Sequence, residues 1–292
     1  MFSYSACNLS ITSNIEIPIF NELDSHKNPD IQILIKDNFE HNSLLKNDKI
    51  IFTDNAVFYE NESGVIFKIT EDSRIIVYLN GNHINNIWES LIGIPFGYAL
   101  SNKGFSVVHG SSVSINGSAA CIFGYSGLGK STLAISLLNK GFNFITEDLC
   151  IFQDKKIYQF NSWVKTTKKL IKDLRIDIQD EIHLSRDSRK RDLFKIKEKN
   201  CSKKCNPKIA YFPIEGEKKS IKKITNSEAF EFLFTNFYRF DNNQASDLHR
   251  ITNILQSLDC YLYERDINAP IEENSEFPVS YTHLRAHETR GN

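Results

Sequence analysis

Residues 119–132 read Ala-Ala-Cys-Ile-Phe-Gly-Tyr-Ser-Gly-Leu-Gly-Lys-Ser-Thr, an apolar run followed by a glycine-rich turn. The run Ala119–Phe123 is short and uninterrupted, which is typical of a central strand buried on both faces. From Gly124 to Ser131 the residues match the phosphate-binding pattern G-x-x-x-x-G-K-[ST] at every position. Glycines let the backbone bend so that several N–H groups point inward at phosphate oxygens. The sequence therefore predicts a strand, a phosphate-binding loop and a helix, in that order.

The loop residues have distinct expected roles. The helix predicted over about residues 129–140 would direct the positive end of its dipole at the loop. Lys130 would neutralise the β- and γ-phosphates, and the Ser131 hydroxyl would bind Mg²⁺. The alternative, a chance glycine-rich turn, is disfavoured by the flanking strand and helix. The predicted nucleotide-binding residues are Gly124, Tyr125, Ser126, Gly127, Leu128, Gly129, Lys130, Ser131 and Thr132.

Two adjacent acids follow this helix. The run Phe142–Thr146 predicts a strand that ends at Glu147 and Asp148. A right-handed crossover would return this strand beside Ala119–Phe123, the strand that precedes the phosphate-binding loop (P-loop), with the acids at the carboxyl edge of the sheet. One acid could accept the proton of an attacking hydroxyl and the other could hold Mg²⁺. The alternative is a strand-to-loop boundary with two solvated acids. His109, near a predicted strand end, is either a further catalytic candidate or a structural histidine.

These motifs resemble a known superfamily. The segments His109-Gly-Ser-Ser, Gly124 to Ser131 followed by Thr-Leu-Ala, and Glu147-Asp148 are similar to the HPr kinase/phosphorylase superfamily, and most of all to its HPr-kinase-related branch, which includes kinases of ribosomal peptide precursors. The resemblance is detailed over about residues 85–150 and weaker to about 270. It implies an α/β fold with a P-loop kinase domain of the HPr kinase/phosphoenolpyruvate carboxykinase type. It also implies phosphorylation of a serine hydroxyl with ATP and Mg²⁺ as cofactors.

The resemblance carries roles to individual residues. Lys130 and Ser131 would hold phosphate and metal, and His109 matches the histidine thought to assist at the phosphate. Glu147 stands where the family has an aspartate base, and Asp148 matches the second acid, assigned here as catalytic residue and metal ligand. Because Glu147 is one methylene longer than aspartate, which acid is the base stays open. The Glu-x-Arg-Gly-x-Gly signature of true HPr kinase/phosphorylases is not found, so neither HPr as acceptor nor phosphorylase activity is carried over.

Three regions are predicted along the chain. Residues 1–85 form a β-rich N-terminal region, because alternating or β-branched runs are separated by turn residues. Residues 86–278 form the kinase domain. A helix that Pro95 ends or kinks is predicted over residues 83–101, across the boundary between these two regions, and it is followed by strands at Phe105–His109 and Ser112–Ile115 and a hairpin turn at Asn116-Gly117. Residues 279–292 lack the Ile, Lys and Phe that are abundant elsewhere, and they resemble a translated sequencing adapter rather than a natural polar tail. His283 and His287 in this tail are therefore not interpreted as metal ligands.

Composition excludes several classes of protein. With 35 Lys+Arg against 36 Asp+Glu, the chain is close to neutral, which argues against a protein that coats nucleic acid or an anionic membrane. No apolar run approaches the ~20 residues of a membrane-spanning helix and no signal peptide is recognised, so the expected compartment is the cytoplasm. Six scattered cysteines read as reduced core residues, and the pair Cys201 and Cys205 is a weak zinc candidate. The basic run Arg186–Arg191 is either a solvated surface or a contact to phosphates.

The leading hypothesis is a cytoplasmic ATP-dependent serine kinase. Its partner would be a protein, peptide or small-molecule hydroxyl acceptor, with no nucleic acid and no membrane, and a homo-oligomer is left open. The alternative is a non-catalytic ATP-binding regulatory or assembly module. A transport-type ATPase is disfavoured, because no Leu-Ser-Gly-Gly-Gln signature is present and the acids follow the P-loop too soon.

Overall fold

The structure is a computed structural model of mixed α/β architecture, and it describes residues 1–24, 28–39, 50–184, 190–238, 244–266, 268–270, 273–276 and 278. The described chain divides into two compact units. The first comprises the described residues of Met1–Phe105 and Leu184–Lys190, and the second those of Ser106–His183 and Arg191–Asn292. The adapter-like residues 279–292, with His283 and His287, lie outside the described residues.

The first unit contains one eight-stranded sheet with the strand order β3-β1-β2-β4-β8-β7-β6-β5. The alternation that predicted β4 is confirmed, because Ile31 and Ile33 are buried and Gln32 between them is only half-buried. The strands are β1 (Phe2–Ala6), β2 (Leu9–Ser13), β3 (Asn21–Glu22), β4 (Ile31–Lys36), β5 (Ile50–Phe52), β6 (Ala56–Glu60), β7 (Ile66–Thr70) and β8 (Arg74–Tyr78).

A broken helical segment follows β8. Instead of the single helix predicted over residues 83–101, the chain forms a 3₁₀ turn at Ile84–Asn86, then α1 (Trp88–Leu91) and α2 (Ile94–Asn102). The break falls at Gly93, whose backbone is not helical, and Pro95 lies in the first turn of α2, where a missing N–H is tolerated. Because α2 packs against β7 and β8, the first unit extends beyond residue 85, as far as Phe105.

The second unit contains two sheets. The larger has the order β10-β9-β12-β13-β17-β19-β18, with β11 also paired to β9 and β17 paired back to β10, and the smaller has the order β14-β16-β15. The strands are β9 (Ser106–Ile115), β10 (Ser118–Phe123), β11 (Asn143–Thr146), β12 (Leu149–Gln153), β13 (Lys156–Tyr158), β14 (Trp163–Thr166), β15 (Ile178–Ile182), β16 (Asp192–Ile196), β17 (Lys204–Gly216), β18 (Ser220–Lys223) and β19 (Asp259–Asp266). The helices are α3 (Lys130–Asn139), α4 (Lys168–Asp173), α5 (Asn226–Asn236) and α6 (Gln244–Leu255).

Strand β10 lies between helices on both faces of the larger sheet. All six of its residues are buried. Cys121 and Phe123 belong to the apolar cluster to which α5 and α6 contribute, whereas Ala120 and Ile122 pack with residues of α3. The prediction of a central strand buried on both faces is therefore confirmed. Gly124, the next residue, begins the loop at the end of this buried strand.

Strand β9 differs from the prediction, because one continuous strand replaces the two predicted ones. Gly110 makes this continuity possible: a Cβ at this position would lie 2.7 Å from the Ile122 carbonyl oxygen and 2.7 Å from the ring of Phe123. His109 consequently lies within β9 and not near a strand end.

The position of β11 also differs from the prediction. It pairs antiparallel with β9, whereas we predicted it beside the P-loop strand β10. The reason is that both sides of β10 are occupied: the hairpin at Asn116 and Gly117, with positive φ values of 50° and 77°, folds β9 onto one side, and β17 pairs with the other. The sheet therefore has β9 between the P-loop strand and the strand that leads to the acids.

No disulfide joins the six cysteines, all of which lie within the described residues. Five are buried and Cys201 is half-buried, as expected of reduced core residues. Within the described part of the chain, no group of three His, Cys, Asp or Glu side chains could hold a metal ion, so the weak zinc prediction for Cys201 and Cys205 finds no support.

Candidate phosphate-binding site

The glycine-rich loop joins β10 to α3 in a conformation that depends on its glycines. Gly124, Gly127 and Gly129 have φ values of 144°, 93° and 79°, a region that residues with a side chain rarely adopt. Gly129 is the N-cap of α3, and it provides no side-chain hydrogen bond to the first amides of the helix. The first turn of α3 therefore has amide donors and a positive dipole end for an anion, as an oxygen-rich phosphate requires.

Lys130 is folded into this loop. Its Nζ donates to the carbonyl oxygens of Gly124 and Tyr125 at 2.8 and 3.0 Å, and the side chain is only 7% exposed. Burial lowers the pKa of Lys130, and the neighbouring charges of Asp148 and Glu147 raise it. The loop therefore encloses a cation at the place where the sequence predicted one for the β- and γ-phosphates.

Glu147 and Asp148 lie between β11 and β12, which both pair with β9. Asp148 has a φ of 64°, which is uncommon for a residue with a side chain, and its carbonyl oxygen accepts a hydrogen bond from the Gly110 amide at 3.2 Å. This local kink separates the two strands and brings Glu147 to the start of α3. The Ser131 hydroxyl donates to Glu147 Oε1 at 2.5 Å. The structure thus joins Ser131, which follows the glycine-rich loop, to the acid pair.

Lys165, on β14, contacts both acids. Its backbone amide donates to Glu147 Oε2 at 2.7 Å, and its Nζ lies 3.7 Å from Asp148 Oδ2. The sequence analysis did not identify this residue. The signal that could have found it is a lysine within the short apolar strand Trp163–Thr166, because a charged side chain flanked by buried residues needs a partner.

The environments of the acids drive their pKa values apart. Burial, together with the charge of Asp148, raises the pKa of Glu147 to about 7, although Lys165 lowers it. Burial also raises the pKa of Asp148, but the positive charges of Lys165, of His109 when it is protonated, of Lys130 and of Arg191 outweigh this effect and lower the pKa overall. Two adjacent carboxyls with separated pKa values can divide the tasks of holding charge and moving a proton.

His109 is the third predicted catalytic residue, and it lies beside the acids. Its Nδ1 is 3.2 Å from the backbone carbonyl oxygen of Asp148. Burial lowers the pKa of His109, the charge of Asp148 raises it and Lys130 lowers it, with a net lowering. The imidazole is therefore neutral near pH 7, and its contact to a carbonyl oxygen identifies Nδ1 as the nitrogen that carries the proton.

The basic run is only partly described. Arg186 and Arg189 lie outside the described residues, and Lys190 is exposed. Arg191 contributes to lowering the pKa of Asp148. A second residue that the sequence analysis missed is Arg265, whose guanidinium packs against Gly129.

The residues present fit a nucleotide with Mg²⁺. The amides of the first turn of α3 and the Lys130 ammonium suit phosphate oxygens, and Ser131, Glu147 and Asp148 offer the oxygen ligands that Mg²⁺ prefers. Mg²⁺ usually takes only one or two ligands from the protein and the rest from phosphate and water, so two oxygens, from Ser131 and Asp148, would suffice.

Comparisons with known proteins found matches among solved structures. No protein-family model matches the chain, and no curated protein matches it. Among solved structures, the Hpr(Ser) kinase/phosphatase from Coxiella burnetii is similar to 63% of this chain over 97% of its own length, with 10% sequence identity and a TM-score of 0.30. A similarity at this level says nothing about the function of this chain. The function has to be inferred from the site itself. Among the described residues, no helix is long and apolar enough to span a membrane.

Proposed function

We propose that this chain is an ATP-dependent kinase that transfers the γ-phosphoryl group to a hydroxyl, with serine as the preferred acceptor. The observation that carries the proposal is the hydrogen bond of 2.5 Å from Ser131 to Glu147, because it unites a complete P-loop with a buried acid pair. A phosphate cradle, a metal ligand and a proton acceptor within one cluster are the parts that phosphoryl transfer to a hydroxyl requires.

Each residue of the cluster has a role in this proposal. The loop amides and Lys130 bind and orient the phosphates, and Ser131 and Asp148 hold Mg²⁺. When bound, Mg·ATP supplies the transferable phosphoryl group and neutralises part of its charge. Glu147, with a pKa of about 7, is matched to accept the acceptor's hydroxyl proton near neutral pH, since a general base works best with a pKa close to the working pH.

Two further residues support these roles. Lys165 keeps Asp148 ionised and fixes the carboxylate of Glu147 through its backbone amide. His109, neutral and with its Nδ1–H bound to the Asp148 carbonyl oxygen, has only the lone pair of Nε2 left, so it can serve as a hydrogen-bond acceptor for a hydroxyl and not as a cation or as a donor to phosphoryl oxygens.

The acceptor test uses labelled ATP and Mg²⁺ with free serine and with synthetic peptides encoded beside the gene, followed by mass spectrometry. Phosphate on a peptide serine supports a peptide kinase, and phosphate on free serine alone supports a small-molecule kinase. Lys130→Ala is the matched control and should abolish transfer while the circular dichroism spectrum is unchanged. Unchanged turnover in this variant would refute the proposal.

One observation favours the alternative, a non-catalytic ATP-binding regulatory or assembly module. Both carboxylate oxygens of Glu147 already accept hydrogen bonds, from Ser131 and from the Lys165 amide. The variant combining Glu147→Gln with Asp148→Asn separates the two functions. A kinase loses phosphoryl transfer in this variant, whereas a regulatory module binds ATP almost as well as the wild type.

A further inference from the structure

Arg265 lies at the same edge of the sheet as the P-loop. Strands β10, β17 and β19 run parallel and side by side, with β17 in the middle. Near the carboxyl ends of β17 and β19, Glu215 of β17 lies opposite Arg265 of β19. Parallel strands bring their carboxyl ends to one edge, which is where open α/β sheets bind ligands. The P-loop follows β10 at this edge.

The guanidinium of Arg265 packs directly against the P-loop. A Cβ on Gly129 would lie 2.7 Å from Arg265 Nη1 and 3.5 Å from its Cζ, so the plane of the guanidinium occupies the space that the glycine leaves. Nη2 donates to Glu215 Oε1 at 2.5 Å. Nε is buried and has no hydrogen-bond partner among the described residues. The arginine is therefore held at the N-cap of α3 with donors that its carboxylate partner does not satisfy.

This location is unfavourable for a cation unless an anion is present. The first turn of a helix carries a partial positive charge, so an arginine at the N-cap of α3 is repelled by the helix dipole. Lys130 adds a second cation to the same loop. The ion pair with Glu215 offsets little of this repulsion, because the side chains of Arg265 and Glu215 are 28% and 53% exposed and such pairs contribute little to stability.

We propose that Arg265 is a phosphate-binding residue of the nucleotide site, kept beside Gly129 by Glu215 until a polyphosphate competes for its guanidinium. This inference rests on the proposed function, because it assumes that the P-loop binds a nucleotide. The planar fork of arginine suits phosphate oxygens, which it contacts through two parallel N–H groups. Glu215 in this account is a competitor of the phosphate rather than a part of the binding site.

The test compares the affinities of Mg·ATP and Mg·ADP for the full chain and its variants by displacement of a fluorescent ATP analogue. Arg265→Gln should weaken binding by about tenfold or more, the usual loss for a charge-assisted hydrogen bond. Glu215→Gln should leave binding unchanged or tighten it, because the competing carboxylate is gone. Arg265→Met, which keeps the aliphatic stem, replaces the Gln variant if thermal melting shows that the latter is unfolded.

Two results would overturn this inference. Wild-type affinity in the folded Arg265 variant would show that no phosphate contacts the guanidinium. Equal weakening in the Arg265 and Glu215 variants would show that the ion pair only supports the loop. Lys130→Ala separates this failure from failure of the proposed function. If Lys130→Ala also keeps wild-type affinity, the nucleotide site itself is wrong, and if it alone loses binding, only the role of Arg265 is wrong.

Discussion

Replacing Glu147 with Gln should stabilise the nucleotide-free protein at alkaline pH while it destroys activity. Glu147 is 5% exposed and adjoins Asp148, so its ionised form is costly in the folded state. Gln keeps the size of the side chain. Its oxygen can accept from the Lys165 amide, and its NH₂ group can donate to Ser131 Oγ in place of the present hydrogen bond.

The magnitude follows from the pKa difference. The pKa of Glu147 is raised from an ordinary value of 4.5 to about 7. Between these two pH values Glu147 binds more protons in the folded state than in the unfolded state, so its contribution to the free energy of unfolding of the wild type falls as pH rises, by about 1.4 kcal/mol per pH unit. Above pH 7 the accumulated loss is about 3 kcal/mol, and the Gln variant does not incur it.

The assay is denaturant unfolding of the two proteins without nucleotide at pH 5 and pH 8. The stability of Glu147→Gln relative to wild type should rise between these pH values, and phosphoryl transfer by the variant should fall by about 10²–10⁴, the contribution of a general base. Glu147→Ala is the control, because it removes the charge but leaves a cavity. An equal stability difference at both pH values, or full activity in the Gln variant, would refute the reasoning.

Three further substitutions test other parts of the account. Gly129→Ala forces a side chain into a φ of 79° and against Arg265 Nη1, the far end of a flexible side chain that can move aside, so it should lower the urea midpoint by about as much as Gly141→Ala, where the φ is 89° and nothing lies within 4 Å of the new Cβ; a much larger loss at Gly129 would show that the guanidinium cannot move aside. Lys165→Met removes the ammonium 3.7 Å from Asp148 while it keeps the backbone hydrogen bond to Glu147. Because the charge of Lys165 lowers the pKa of both acids, the acidic limb of the pH–rate profile should move to higher pH, and an unmoved limb would contradict the role of Lys165. Thr225→Ala breaks the capping box of α5 with Glu228 and should cost about 1 kcal/mol in urea unfolding without changing the affinity for ATP.

The sequence predicted those features that depend on neighbours along the chain. The alternation of β4, the apolar run Ala119–Phe123 of β10 and the glycines of the loop that follows it each reflect a local requirement of backbone or burial, and the structure contains all three. The proximity of the acids to Ser131 could also be predicted, because a single short helix separates them and constrains where the chain returns.

The features that were missed depend on contacts between distant segments. A lysine within an apolar strand could have drawn attention to Lys165, but its backbone hydrogen bond to Glu147 depends on β14 lying beside the acids, which residue type does not encode. Arg265 reaches Gly129 because β19 lies next to β17 and β17 next to β10, an order that no local pattern encodes. The position of β11 was predicted wrongly because β10 has no free side: the predicted hairpin at Asn116 and Gly117 places β9 on one side, and the distant strand β17 occupies the other.

The central claim is that the P-loop and the acid pair form one site for a nucleotide and its metal. The most direct measurement is calorimetric titration of ATP, with Mg²⁺ and with EDTA, into wild type and Asp148→Asn. The account predicts that Mg²⁺ tightens ATP binding to the wild type and that the Asn variant loses most of this gain, because one of the two metal ligands has lost its charge. Equal tightening by Mg²⁺ in both proteins, or ATP binding to the wild type that ignores Mg²⁺, would contradict it.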